Sequence, residues 1–459
     1  MLLRFAVGNF LSFKDVTEFR MTAGKMTRHN SHVAVVKNGK RILKGGFIFG
    51  ANASGKSNLI RAIDFARKSI LMGTSIGDCY KKYFRIDNIF KDKPGFFQFD
   101  IFTGSHFYSY GFAVSYRNAE IEEEWLYSLD EEEKCIFERG RDKTGKMRVV
   151  SEIHFEEEKE KNRFAVYSED IDKDEMKQKT FLSDMAMRSN KNADYYQSFR
   201  DVRNWFSNLR IVYPNSRYLN IYALMRDDEE RLTVERLFRY FDTGIESLSR
   251  VEKSFDTVFR DVPEDIKTSL RESLFESLTK KNIGGAINFN GSYYEFSLRD
   301  GELITTEVVS DHGNPNDLFE FKDESDGTKR LFDLLPIYHQ AQALADYVII
   351  IDELDRSLHT KATIEFIDRF YKEAHGRNCQ LIASTHDSNI FDLDLLRQDE
   401  IWLVERMEDH ASQLKSLSSY KPRFDKDVGR DYLIGRYGAI PIFNNLAILV
   451  DEDGESSGQ

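Results

Sequence analysis

Gly50-Ala51-Asn52-Ala53-Ser54-Gly55-Lys56-Ser57 fits the pattern G-x-x-x-x-G-K-[ST] at every fixed position. Its glycines let the backbone turn tightly enough for successive N–H groups to face a triphosphate. Lys56 would reach the β- and γ-phosphates and Ser57 would bind Mg²⁺. The flanks agree with that reading. Leu43 to Phe49 reads as a short buried strand, and Leu59, Ile63, Ala66 and Ile70 recur at helical spacing, so the loop sits between a strand and a helix. An ordinary Gly-rich turn does not require that context.

A second half of the site is written about 300 residues later. Asp346-Tyr347-Val348-Ile349-Ile350-Ile351-Asp352-Glu353 is an apolar run ending in two carboxylates, the form of a strand buried on both faces of a parallel sheet. Ligands bind at such strand ends. Asp352 would hold the Mg²⁺ shell, and Glu353 would orient or deprotonate an attacking water. The run Cys379 to Ser384 gives another short strand, followed by Thr385-His386-Asp387, and His386 stands thirty-three residues beyond Glu353, a spacing that accommodates one crossover helix. Leu354-Asp355-Arg356-Ser357-Leu358-His359 and a helical pattern at Ile364, Ile367, Phe370 and Tyr371 lie between. Upstream, Glu324-Ser325-Asp326-Gly327-Thr328 opens a helix with an apolar stripe of Leu331, Leu334, Leu335 and Tyr338. Small residues at a helix N-terminus suit an anion.

Composition bounds the rest. The chain has 459 residues, 41% of them hydrophobic and 13% aromatic, ample for a packed core. Its start, Met1 to Phe10, is interrupted by Arg4 and Asn9 and reads as a strand rather than a secretory signal. The longest aliphatic run, Val348 to Ile351, is far short of a membrane span. Cys79, Cys135 and Cys379 are too widely spaced for a disulfide framework or a zinc cluster, which points to a cytoplasmic setting. The net charge of −12 is unevenly spread. Residues 118–176 hold 20 Asp/Glu against 10 Lys/Arg, whereas 177–220 hold 8 Lys/Arg against 3 Asp/Glu, interleaved with Tyr195, Tyr196, Phe199, Trp205, Phe206, Tyr213 and Tyr218. A nucleic acid is a possible partner for that basic stretch; the competing expectation is that its aromatics form core.

The ordered set of phosphate loop, Ser325/Gly327 segment, acidic pair, Asp355 turn and His386 resembles the ABC-type ATPases of the SMC and RecF class. The resemblance implies an α/β ABC-type P-loop ATPase head in two sequence lobes, with a β-rich subdomain and a compact helical arm between them. It also implies a homodimer in which two heads close on two ATP molecules. Ser325 and Gly327 would then contact the γ-phosphate of the opposite subunit, Asp355 would communicate across the dimer, and His386 would sense the γ-phosphate. The segment reads Glu-Ser-Asp-Gly-Thr where transporters carry Leu-Ser-Gly-Gly-Gln, so the Ser and one Gly are kept. Asn52, Ser54, Gly55 and Asn58 complete the candidate nucleotide-binding set with Lys56 and Ser57. Gln98, inside an expected strand, reads as structural.

Further phrases narrow the resemblance: Val7-Gly8-Asn9-Phe10-Leu11-Ser12-Phe13, Glu123-Glu124-Trp125-Leu126-Tyr127, Thr180-Phe181-Leu182-Ser183 and Gly435-Arg436-Tyr437-Gly438-Ala439-Ile440-Pro441. With the phosphate loop they are similar to the stand-alone AAA-type ATP-binding proteins of bacterial abortive-infection operons, the AbiL-like or RloA-like group. That group implies a sensor or regulatory ATPase, a partner effector (an RloB-like nuclease), possible higher oligomers, and a nucleotide-proximal place for Asn9, Phe10 and Ser12. Equally, those residues read as a β-strand end.

The expected organisation is an N-terminal ATPase lobe over 1–115, an acidic β-rich insert over 116–165, a helical arm over 166–289 and a C-terminal ATPase lobe over 290–459. Ser57 and Ser325 are 268 residues apart with no sustained heptad, so a long coiled coil is not expected. The tail Asp451 to Gln459 reads as disordered. Two rival functions share these motifs: a self-sufficient nuclease of the overcoming-lysogenisation-defect type and a RecF- or SMC-like DNA-repair ATPase. The first needs a Toprim domain; 73 residues follow His386, with one Asp-x-Asp at Asp392-Leu393-Asp394, too short a stretch for that domain.

Overall fold

In Gly95–Phe102, Phe97, Phe99 and Ile101 are buried while Phe96, Gln98 and Asp100 between them stay half-buried. That period of two marks a strand with one face on a core. The computed structural model describes residues 1–188, 194–214, 225, 227–281, 286–343, 346–424 and 426–441. Tyr218 and the tail Asp451 to Gln459 lie outside the described residues, as does the side chain of Tyr338. The chain forms two units, one of Met1–Ile211, Asp346–Leu354 and Ala374–Gln459, the other of Val212–Ala345 and Asp355–Glu373.

The first unit carries a seven-stranded antiparallel sheet in the order Met147–Val150, Lys134–Arg141, Ile121–Ser128, Phe107–Val114, Gly95–Phe102, Leu2–Gly8, Thr17–Arg20. The strands of the acidic stretch 116–165 thus continue the sheet of the N-terminal strands: Ile121–Ser128 pairs with Phe107–Val114 along its length. Aromatic packing fills the covered face, with Phe5 and Phe99 rings 4.6 Å apart and Phe97 stacked on Phe112 at 5.1 Å.

A buried carboxylate ties this sheet to the following helix. Glu124 accepts hydrogen bonds from the Tyr110 hydroxyl (3.0 Å), from the backbone N–H groups of Phe181 (2.7 Å) and Leu182 (2.9 Å), and from Arg139 (3.3 Å). Arg139 also donates to Lys179 O at 2.7 Å. The phrases around Glu124 and Phe181 are therefore one structural knot: the carboxylate satisfies N–H groups in the first turn of the helix Phe181–Arg188. Glu124→Gln keeps the shape but removes the charge facing Arg139, and should cost about 1–3 kcal/mol of stability. Denaturant unfolding with an unchanged midpoint would contradict this.

The second sheet of this unit is largely parallel. Asp346–Ile351, Asn378–Ser384, Gly45–Phe49 and Ile401–Arg406 lie side by side and parallel, and Ser412–Ser416 closes one edge antiparallel. Fully apolar strands such as Gly45–Phe49 are buried along their whole length, as expected of strands covered on both faces. The run expected over 43–49 is broken at Lys44, whose buried ammonium donates to Ala374 O at 2.6 Å. Gln380, fully buried, joins the layers: its side chain accepts from Leu2 N (2.5 Å) and donates to Leu2 O (2.9 Å) and Leu43 O (2.8 Å).

The stretch 166–289 distributes over both units. Phe181–Arg188 and Gln197–Asn208 pack in the first, while Asp228–Tyr240 and Glu264–Lys281 belong to the second. The second unit also holds the antiparallel sheet Ser247–Lys253, Glu302–Asp311, Ser292–Arg299, Ala286–Phe289. Leu270 and Leu274 pack on its Phe255, Phe259, Tyr294 and Phe296 cluster, whereas Ile266, expected on the same stripe, is 53% exposed. Phe238 meets Phe332 of the helix Asp326–Ala343 with ring centroids 4.4 Å apart.

Candidate nucleotide site

Three parallel strands end together. Phe49 leads into the glycine loop, Ile351 into Asp352-Glu353, and Ser384 into Thr385-His386, so the residues of three distant segments converge at the carboxyl edge of one sheet. The loop gives way to the helix Lys56–Met72, which buries Leu59, Ile63, Ala66 and Ile70, the stripe expected from spacing.

Gly50 and Gly55 are required by close approach. A Cβ on Gly50 would collide with Val404 O, and one on Gly55 would collide with the hydroxyls of Ser412 and Ser12; Gly55 also has φ +117°. Lys56, buried, curls across the loop and donates to Gly50 O (2.6 Å) and Ala51 O (3.0 Å), with its Nζ 3.4 Å from Nδ1 of the exposed His386. Ser57 Oγ donates to Asp352 Oδ1 at 3.0 Å, and Ser384 Oγ donates to the same oxygen at 2.6 Å. Ser384 Oγ in turn accepts the Glu353 N–H at 2.8 Å. Glu353 adopts φ +52°, a left-handed position that costs a non-glycine residue free energy and is concentrated at functional sites.

Ser384 is the residue that links the Asp352 carboxylate to the backbone of Glu353, and its only sequence signal is a hydroxyl at the end of an apolar strand. Ser12, given a nucleotide-proximal place by the resemblance, lies in a hydroxyl cluster beside the loop, and Ser412 is a further member that sequence spacing does not reveal. Ser412 Oγ lies 2.7 Å from Ser12 Oγ and 2.5 Å from Ser54 O, and Asn58 Nδ2 donates to Ser12 Oγ at 2.8 Å. Asn58 thus reaches the loop through Ser12 and Ser412. Ser54 Oγ is buried with no hydrogen-bond partner among the described residues, and Asn52 is exposed at the loop tip.

Asn9 and Phe10 sit differently from the nucleotide-proximal expectation. The Asn9 amide donates to Phe90 O (2.9 Å) and Lys93 O (2.8 Å) and accepts from Phe84 N (2.9 Å), while Phe10 is fully buried between Phe65 and Phe97. They hold a turn and a core. Gln98 is structural, donating to Ser109 Oγ at 2.9 Å.

Ser325, Gly327 and Asp355 belong to the second unit. Exposed Ser325 caps the helix Asp326–Ala343, its Oγ accepting Thr328 N at 3.1 Å. A Cβ on Gly327 would stand 2.9 Å from Ser357 O, so the glycine lets the segment after Asp355 approach this helix start. Ser357 itself has φ +59°.

Tyr196, Phe199 and Phe206 of the basic stretch are fully buried and cannot stack on bases. Asp392 accepts the Asp394 N–H at 2.9 Å in a local turn, and Asp394 pairs with Arg28. Among the described residues no group of three or more His, Cys, Asp or Glu is arranged to hold a metal, and no helix is long and apolar enough to cross a membrane. Burial pushes the Cys79 and Cys135 thiols each up to about 11, which makes both poor nucleophiles.

The donor set fits Mg²⁺: Ser57 and Asp352 offer hard oxygen atoms side by side at the start of a helix. Three solved head domains show low-level likeness. The SMC head bound to the C-winged helix domain of ScpA shares 14% identity over 91% of this chain and 99% of that one, TM-score 0.40. The SMC head domain from Thermotoga maritima shares 13% over 90% and 98%, TM-score 0.33. The Smc head with an extended coiled coil, bound to the C-terminal domain of ScpA and derived from Pyrococcus furiosus, shares 14% over 92% and 97%, TM-score 0.37. No curated protein matches the chain. The family described as "AAA domain, putative AbiEii toxin, Type IV TA system" matches residues 47–392, a span that runs from the strand before the glycine loop past His386, and the chain belongs to that family.

Proposed function

We propose that this protein is an ABC-class ATPase that closes as a homodimer around two Mg-ATP molecules and controls a separate effector, a nuclease, in anti-phage defence. The observation that carries the ATPase part is the chain Ser57–Asp352–Ser384–Glu353, which holds a carboxylate suited to Mg²⁺ beside the first turn of the helix after the glycine loop and anchors the backbone of the acid that follows it. Bound Mg²⁺ supplies charge neutralisation on the phosphates. Lys56 and the loop N–H groups hold the triphosphate, and Glu353 takes the proton of a water as its oxygen attacks the γ-phosphorus and the bond to the β-phosphate oxygen breaks. His386, close to Lys56, is the residue through which the γ-phosphate is sensed. The family's printed toxin–antitoxin description supports the defence role.

The dimer part assigns Ser325 and Gly327 to the nucleotide of the opposite subunit, with Asp355 relaying between subunits. Ser325→Arg should therefore leave ATP affinity of the isolated subunit unchanged while preventing ATP-driven dimerisation, because a bulky cation would replace the cap at a helix start that must meet phosphate. Equilibrium dialysis and light scattering measure the two effects separately. Loss of subunit ATP binding in Ser325→Arg would contradict the assignment.

A further inference from the structure

A trough of about 550 Å³ runs over the outward face of the strands Ile121–Ser128, Lys134–Arg141 and Met147–Val150. Its floor follows from strand register. Gly111 faces Trp125, Trp125 faces Glu138, and Glu138 faces Val150; one row along, Gly140 faces Arg148. Trp125 lies down on the sheet: a Cβ on Gly111 would collide with the indole, and the Phe96 ring stacks beside it at 5.6 Å and 30°. Gly140 has no such internal reason. A Cβ there would meet no atom within 4 Å, and its φ is one that other residues adopt. Glycine weakens a strand, and in a strand interior it marks places where a ligand or another backbone comes close.

The charges of the trough are lopsided. Arg139 is paired with Glu124 (3.3 Å), Arg141 with Glu120 (3.2 Å) and Arg148 with Asp142 (3.0 Å), so its cations are neutralised from within. Among the described residues the Glu123 side chain makes no hydrogen bond or ion pair, and the Glu138 side chain accepts only the Tyr127 hydroxyl. From Glu120 to Val150, the span of the trough's strands, the sequence has ten Asp/Glu against six Lys/Arg. Phosphates would be repelled here, and a second copy of this chain, at net −12, brings no general charge complement.

We propose that this trough docks an extended lysine- or arginine-bearing segment of a partner protein. The segment's backbone passes over Gly140, and one of its cations rests against Trp125 between Glu123 and Glu138. A cation over an indole face flanked by carboxylates gains both quadrupole and ion-pair attraction. The proposal takes from the function above only that a separate protein partner exists, and it uses none of the nucleotide-site residues.

The test uses the full chain and a fluorescein-labelled nonapeptide, (Lys-Gly-Arg)₃, in a polarisation titration at low salt. Glu123→Gln/Glu138→Gln should weaken binding about tenfold or more, as loss of charge-assisted contacts predicts. Gly140→Val should weaken it comparably by filling the floor. Glu131→Gln/Glu132→Gln, which removes the same charge from the neighbouring turn, should change affinity by less than about twofold. Equal losses for the two double variants, or full affinity in a folded Gly140→Val protein, would overturn the proposal. ATP hydrolysis by the Glu123→Gln/Glu138→Gln variant should match the unmodified chain. A protein that hydrolyses no ATP yet shows the peptide pattern would sink the ATPase reading and leave the trough standing.

Discussion

Glu353→Gln should lower steady-state ATP hydrolysis by about a hundredfold or more while ATP still binds, because the substitution preserves size and removes the proton acceptor. The backbone around Glu353 favours a clean result. Its N–H is held by Ser384 Oγ at 2.8 Å, a backbone contact that glutamine keeps, so glutamine should occupy the same place. With hydrolysis blocked, the ATP-closed dimer should accumulate. Light scattering that gives one mass with and without ATP in this variant would contradict the dimer mechanism and leave the chemical role of Glu353 to the rate measurement.

Lys56→Ala should reduce ATP affinity by roughly tenfold to a hundredfold or more, the loss of a charge-assisted contact of about 1.5–3 kcal/mol. Lys56 is buried and donates to two carbonyl oxygens of its own loop, Gly50 and Ala51, so its removal also leaves those acceptors without that donor. The variant must therefore be shown to keep its unfolding midpoint. A stable Lys56→Ala protein that binds ATP as tightly as the unmodified chain would remove the glycine loop from the site.

Local chemistry made part of this site readable. The glycine loop announces itself through its fixed Gly, Lys and Ser positions, the strands ending in Asp352-Glu353 and near His386 through runs of apolar residues, and parallel pairing then brings their ends together. What remained hidden is set by long-range contact. Ser412 is 358 residues from Ser54 yet touches its carbonyl oxygen, and no spacing rule points to it. Ser384 looked like the last residue of a strand, though it bridges Asp352 and Glu353. Asn9 carried the opposite lesson: the family resemblance gave it a nucleotide-proximal place, with a β-strand end as the equal alternative, while its amide is used up by three backbone groups. The acidic stretch looked separate because its composition changes sharply, but composition says nothing about sheet edges. Glu124, one of its acids, is buried and anchors the stretch to the helix Phe181–Arg188.

The aromatics of the basic stretch show the same limit. Tyr196, Phe199 and Phe206 alternate with cations in a way that suits either a base-stacking surface or an amphipathic helix. Packing decides: Phe199 stacks on Phe137 at 5.4 Å, inside the unit.

The central claim is that the carboxyl edge of the parallel sheet is an ATP-hydrolysing centre, and phosphate release measured beside ATP binding tests it most directly. The account predicts that the unmodified chain binds ATP with Mg²⁺ and releases phosphate, while Glu353→Gln binds ATP equally and releases phosphate at about a hundredth of the rate or less. Equal turnover by both proteins, or no ATP binding by the unmodified chain, would contradict it.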